Sequence, residues 1–210
     1  MITAYAVTAH PGPPLPDHPA LRLVASDGLA VACAPTGDTP EEPASADALW
    51  RHEAIVEALM ADRDVVPLRY GTRFDDESAA AAAIAEHRDE LSAALARVRG
   101  AVEISVRIAT TREPPQRSAA QTGRDYLRAR AGVAELREEA ERSIHEPLAA
   151  RARMSTQRPG RALPELLRCA YLVDRAAVDE FRRVAAEADA AVEDFSVLCT
   201  GPWPPYSFVG

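Results

Sequence analysis

The side chains best placed for chemistry are His52 and Glu53, adjacent in the run Trp50-Arg51-His52-Glu53-Ala54-Ile55-Val56-Glu57. A zinc-dependent hydrolase helix needs two histidines four positions apart with the glutamate between them. Position 56 is Val, so that reading fails. A lone histidine on an apolar helix face reads as a core histidine bonded to a carbonyl or to Arg69. Arg69 with Glu53 or Glu57 forms an ion pair in the same reading, fixing the helix against the following strand. Together, His52, Glu53 and Arg69 are the only candidates for an enzyme of unrecognised class. Gly71 before Thr72 reads as a backbone device, since a phosphate-binding loop needs a Gly-Lys-Ser/Thr ending and the chain contains no lysine. Cys33, Cys169 and Cys199 are widely separated and odd in number. Cys169 and Cys199 sit in apolar runs and read as small core hydrophobes. The carboxylate pairs Glu41-Glu42, Asp75-Asp76 and Glu138-Glu139 read as solvated charge or, for Asp75-Asp76, as the start of a helix. No catalytic constellation, cofactor motif or metal-ligand spacing emerges.

The last segment, Gly201-Pro202-Trp203-Pro204-Pro205-Tyr206-Ser207-Phe208, concentrates three prolines and three aromatics in a chain with 5% aromatic content. Proline removes donors and restricts φ, so the segment is expected to be stiff and extended without joining a strand ladder. It either packs on its own domain as a latch or docks into a partner's groove.

The elements that must position these residues follow from local pattern. Ile2 to Val7 reads as a strand. Leu21–Ala25 and Leu29–Cys33 flank Ser26-Asp27-Gly28 as a hairpin. Ser45 or Asp47 caps a helix whose inner face is Leu49, His52, Val56, Leu59 and Met60. Val65 to Tyr70 reads as a short strand, Gly71 to Phe74 as a turn, and Asp75 to about Val98 as one helix stopped by Gly100. Val102 to Ile108 alternates most clearly, apolar at even positions. Proline-rich loops are expected at His10–Pro19, Pro35–Pro43 and Thr110–Thr122. A long helix from Gly123 to about Arg153 is expected to kink near Pro147. On it, Arg137 with Glu141 and Glu138 with Arg142 are spaced for surface ion pairs. Met154 to Pro164 reads as a loop and Leu166 to Val173 as a buried strand. Asp174 caps a helix to about Ala188, and Val192 to Thr200 forms the last strand. The class is α+β, divided near Gly100 into two small domains, 1–100 and 101–210. The second is expected to be ferredoxin-like, with the proline/aromatic-rich tail packing back.

The whole chain sets the remaining bounds. It has 210 residues, a formal net charge of −8, and 24 basic residues that are all arginine. That balance argues against a nucleic-acid binder. No signal peptide or membrane-spanning stretch is evident, so a cytoplasmic, soluble protein is expected.

Five stretches carry a family resemblance. The ending Leu198-Cys199-Thr200-Gly201-Pro202-Trp203-Pro204-Pro205-Tyr206-Ser207-Phe208-Val209 resembles the signature ending of the GvpL/GvpF family of gas vesicle proteins. Trp50 to Glu57, followed by Val66-Pro67-Leu68-Arg69-Tyr70-Gly71-Thr72-Arg73-Phe74, is similar to the family's His-Glu helix and its Pro-Leu-Arg-Phe-Gly-Thr segment, with Tyr70 in place of Phe. Gly123-Arg124-Asp125-Tyr126-Leu127 and Tyr171-Leu172-Val173 match in the same order. The resemblance implies a non-enzymatic accessory or minor structural protein, located at the gas vesicle. Its implied partners are the gas vesicle wall subunit and other gas vesicle proteins, with no cofactor, nucleic acid or membrane. His52, Glu53, Arg69, Gly71, Trp203, Tyr206 and Phe208 are then interaction or structural-signature residues.

Overall fold

The computed structural model describes residues 1–16, 20–36, 45–112 and 123–209. The proline-rich connections lie partly outside these residues, as do Glu41-Glu42 and the side chains of Arg124, Asp125 and Tyr126. The chain forms two compact units, Met1–Ala101 with Pro204–Gly210, and Val102–Trp203. Both combine a sheet with helices, so the α+β class holds.

In the first unit, β1 (Ile2–Ala9) is central. It pairs antiparallel with β3 (Leu29–Pro35) on one side and with β4 (Val66–Pro67) and β5 (Arg73–Phe74) on the other. Beyond β3 lies β2 (Arg22–Ser26), joined by the expected hairpin, with Asp27 and Gly28 at φ 48° and 82°. The expected strand over 65–70 shortens to β4, and the expected turn holds β5. Two residues are too few for periodicity to register, and pairing with β1 is a tertiary event.

Helix α1 (Ala46–Met60) is capped by Ser45, whose Oγ accepts from the Ala48 amide at 3.2 Å. Its inner face is Ala48, His52, Val56, Leu59 and Met60. Leu49 is a correction: it is 41% exposed, because the buried stripe is rotated toward Ala48. The single helix expected after Asp75 is two, α2 (Glu77–Glu86) and α3 (Arg88–Val98). The break falls at His87, which leaves helical geometry at φ −103°, ψ 20°. Asp76 caps α2 by accepting from the Ala79 amide at 2.8 Å. The core gathers Ile2, Val7, Val24, Val31, Ile84 and Leu95.

The second unit runs β6 (Ala101–Thr110, its first residue in the first unit), α4 (Gly123–Ala140), a π-helical turn over Glu141–His145, and α5 (Glu146–Ala149). Then come β7 (Met154–Pro159), β8 (Glu165–Asp174), a 3-10 turn over Arg175–Ala177, α6 (Val178–Ala191) and β9 (Phe195–Trp203). Its sheet order is β7-β8-β6-β9, with β7–β8 and β6–β9 antiparallel. The core packs β6 residues Ile104, Val106 and Ile108 with Ile144, Leu148, Tyr171 and Phe181.

Several expectations change here. The long helix is interrupted by the π turn that ends just before Glu146-Pro147. Met154 to Pro159 is a strand, not a loop; its mostly exposed side chains carry no alternation, and pairing with β8 defines it. Asp174 makes no cap hydrogen bond and instead pairs with Arg153. Neither ion pair expected on the long helix closes among the described residues; Glu141 accepts from Gln157 Nε2 at 2.5 Å. The start of the tail does join a ladder, with Trp203 opposite Glu103 across an irregularity between Glu103 and Ser105.

Candidate functional site

Ser45 and the buried stripe of α1 turn His52 inward, where it is only 3% exposed. Its Nε2 lies 3.0 Å from the Leu68 carbonyl. A carbonyl only accepts, so Nε2 donates and carries the proton. The imidazole sits against the Tyr5 ring (5.2 Å, tilted) and edge-on to Tyr70 (5.7 Å). Nδ1 is buried without a hydrogen-bond partner. His52 therefore binds a backbone carbonyl, one of the two core roles expected of it.

Arg69 is exposed and forms no ion pair with Glu53 or Glu57 among the described residues. Its carbonyl is what matters locally, accepting from the Thr72 amide at 3.1 Å and from Thr72 Oγ1 at 2.8 Å. This closes a four-residue turn whose third residue, Gly71, has φ 87°. Such a φ favours glycine, as the backbone reading of Gly71 requires. The acid–base trio of the enzyme reading is thus split between a packed ring and an exposed guanidinium.

Glu53 has a different neighbour. The Tyr206 hydroxyl is buried without a well-formed hydrogen bond. Burial first, then the Glu53 and Glu57 carboxylates, hold its pKa far above the usual phenol range, so it stays protonated. Two residues on, Phe208 is 3% exposed and its carbonyl accepts from the Arg97 guanidinium on α3 at 2.8 Å. Val209 packs against the core of the same unit.

Trp203 ends β9 in the second unit and donates from Nε1 to Thr200 Oγ1 at 3.3 Å. Gly201 sits beside it at φ 118°, its carbonyl accepting from Arg182. A Cβ at 201 would lie 2.9 Å from the Glu103 carbonyl oxygen and 3.0 Å from Trp203 Cδ1, so only glycine fits.

Sequence reasoning passed over a buried polar chain in the same unit. His145 Nδ1 lies 2.7 Å from the Tyr171 hydroxyl, which also neighbours Cys169. Burial lowers the His145 pKa and raises that of Cys169 to about 11, while Tyr171 is driven far above the phenol range. Such a thiol is protonated and a poor nucleophile. Cys33 and Cys199 are likewise raised by burial. No group of three His, Cys, Asp or Glu among the described residues is placed to hold a metal.

The sequence profile described as "Gas vesicle synthesis protein GvpL/GvpF" matches residues 2–210. The chain belongs to the GvpL/GvpF family. Among curated relatives, gas vesicle protein L of Streptomyces sp. (strain CB03234) is 32% identical over 84% of this chain and 77% of its own. Gas vesicle protein F2 of Halobacterium salinarum is 27% identical over 77% and 68%. The fold agrees with two crystal structures of gas vesicle protein GvpF. That from Microcystis aeruginosa has a TM-score of 0.81 at 16% identity, covering 100% of this chain and 98% of that one. That from Anabaena sp. PCC7120 has a TM-score of 0.84 at 15% identity, covering 100% and 95%. In this GvpL/GvpF member His52 sits on a carbonyl, Gly71 in a turn and Phe208 in a core.

Proposed function

We propose that this chain is a non-enzymatic accessory or minor structural protein of gas vesicle formation, acting by binding the wall subunit or other gas vesicle proteins. The observation that carries the reading is the family match from residue 2 to residue 210. Physical chemistry supplies a rationale. A very hydrophobic wall subunit needs its apolar surface or strand edges covered until it joins the lattice. β7 lies at the end of its sheet with mostly exposed side chains, a template suited to strand addition. No helix among the described residues is long and apolar enough to cross a membrane.

Two architectural readings accompany this proposal. The β-α-β-β-α-β order and the strand order β7-β8-β6-β9 support a ferredoxin-like second domain. The buried Phe208 and its bond from Arg97 support the end of the tail as a latch first and a docking site second.

The test is co-expression of this chain with the wall subunit. The expected result is wall subunit kept in solution and recovered with this chain on affinity purification. Wall subunit that neither co-purifies nor gains solubility overturns the proposal.

A further inference from the structure

One face of the second unit's sheet carries a charge that the composition does not foreshadow. On β6, Val106 and Ile108 are buried, and Arg107 between them is exposed on the other face. Arg107 stands opposite Leu198 of β9. Toward the β7 edge of the sheet, Arg158 of β7 stands directly opposite Arg168 of β8. Arg107 and Arg168 line the same hollow, of about 480 Å³, together with Leu198, Thr200 and Trp203. Three strands therefore contribute an arginine to this face, beside an apolar floor in which Leu198 is 56% exposed.

Like charges directly opposite one another destabilise a strand pair. Arg168 has one carboxylate close by. The Glu165 carboxylate lies 3.8 Å from Arg168 Nε, beyond hydrogen-bond reach. Neither Arg107 nor Arg158 has a carboxylate partner among the described residues. This happens in a chain of net charge −8, with carboxylates in excess elsewhere.

We infer that this face is a docking surface for an acidic, amphipathic segment of another protein. Its carboxylates meet the arginine forks, and its aliphatic side chains rest on Leu198 and Trp203. A guanidinium pairs with a carboxylate bidentately, giving register as well as attraction. The net charge of −8 opposes a nucleic-acid strand on the same face. The inference goes beyond the proposed role and does not depend on the wall subunit being the partner.

The test is fluorescence anisotropy with a short labelled peptide of repeated Glu-Ala-Leu-Glu blocks. A Lys-Ala-Leu-Lys peptide and a labelled single-stranded DNA are run beside it. The acidic peptide should bind most tightly, and more weakly as salt is raised. Arg107→Gln with Arg158→Gln should weaken it by about tenfold, with the melting temperature showing that the fold is kept. Leu198→Glu, at an exposed position, should weaken it comparably and decides the matter if the double variant fails to fold. Equal binding of the two peptides, affinity unchanged in these folded variants, or tighter binding of DNA would each overturn the inference.

Discussion

Phe208→Ala isolates the contribution of the chain's end to the first unit. The phenyl ring is almost fully buried, while its backbone carbonyl receives the Arg97 bond. The substitution removes the ring and leaves that carbonyl in place. Truncating a buried Phe costs about 3–5 kcal/mol, the transfer of the ring plus the cavity it leaves. A segment near a chain end can relax into the cavity, which favours the lower figure, about 3 kcal/mol. At 1.4 kcal/mol per factor of ten, that is roughly a 100-fold loss in the equilibrium holding the surrounding structure closed. Hydrogen exchange reads this directly, because α3 bears Arg97 and contacts the 3-10 turn at Tyr206–Phe208. Amides in the second half of α3 should lose protection by about that factor, and those of β1 beside them by less. If only residues 206–209 exchange faster while α3 is unchanged, the end is a dispensable appendage and the latch reading is wrong.

Gly201→Ala should cost about 2–4 kcal/mol, since a Cβ there meets the Glu103 carbonyl and Trp203 at a φ that side chains avoid; urea melts of the variant check it. Trp203→Ala should lower stability by about 1.5–3 kcal/mol, less than a fully buried Trp because the ring is half-exposed. Lost partner binding at unchanged stability would instead make Trp203 a docking residue. His145 has its pKa lowered from the usual 6.5, chiefly by burial, with Glu141 and Glu146 acting the other way. The unfolded chain thus holds more protons just below pH 6.5, so stability is intact above that value and falls as pH drops through it. Melting temperatures across that range should show the slope, and His145→Gln should flatten it.

What the sequence disclosed was set by how local the cause is. Ser45 caps α1 and Asp27-Gly28 turns the hairpin because each acts through the backbone within a few residues. The alternation of β6 was legible for the same reason, with Ile104, Val106 and Ile108 buried while Ser105 and Arg107 between them are not. β5 and β7 were not legible. One is two residues long, the other polar and exposed, and both are strands only because a distant partner supplies their hydrogen bonds. Asp174 shows the limit from the other side: a residue with every local reason to cap a helix is held instead by Arg153. His87 shows it again, since nothing in an alanine-rich run marks where the helix must break.

The same distinction separates identity from function in this chain. Of the residues in the stretches that resemble the family, His52 bonds a carbonyl, Gly71 lies in an exposed turn and Phe208 lies in a core. They fix the scaffold, and a scaffold kept by packing can be recognised from a linear motif because its parts recur in order. The arginines of the sheet face leave no such trace. Arg107, Arg158 and Arg168 are scattered over three strands and become a patch only through the registers that set Arg158 against Arg168 and Arg107 against Leu198. A one-residue slip of β7 would turn Arg158 to the opposite face, and a slip of β9 would turn Leu198 there. Leu198 lies beside Arg107 through the register of β9, the strand that also contains Gly201 and pairs across the irregularity between Glu103 and Ser105. A Gly201→Ala variant that shifts β9 should therefore move Leu198 from beside Arg107 and leave the three arginines in place.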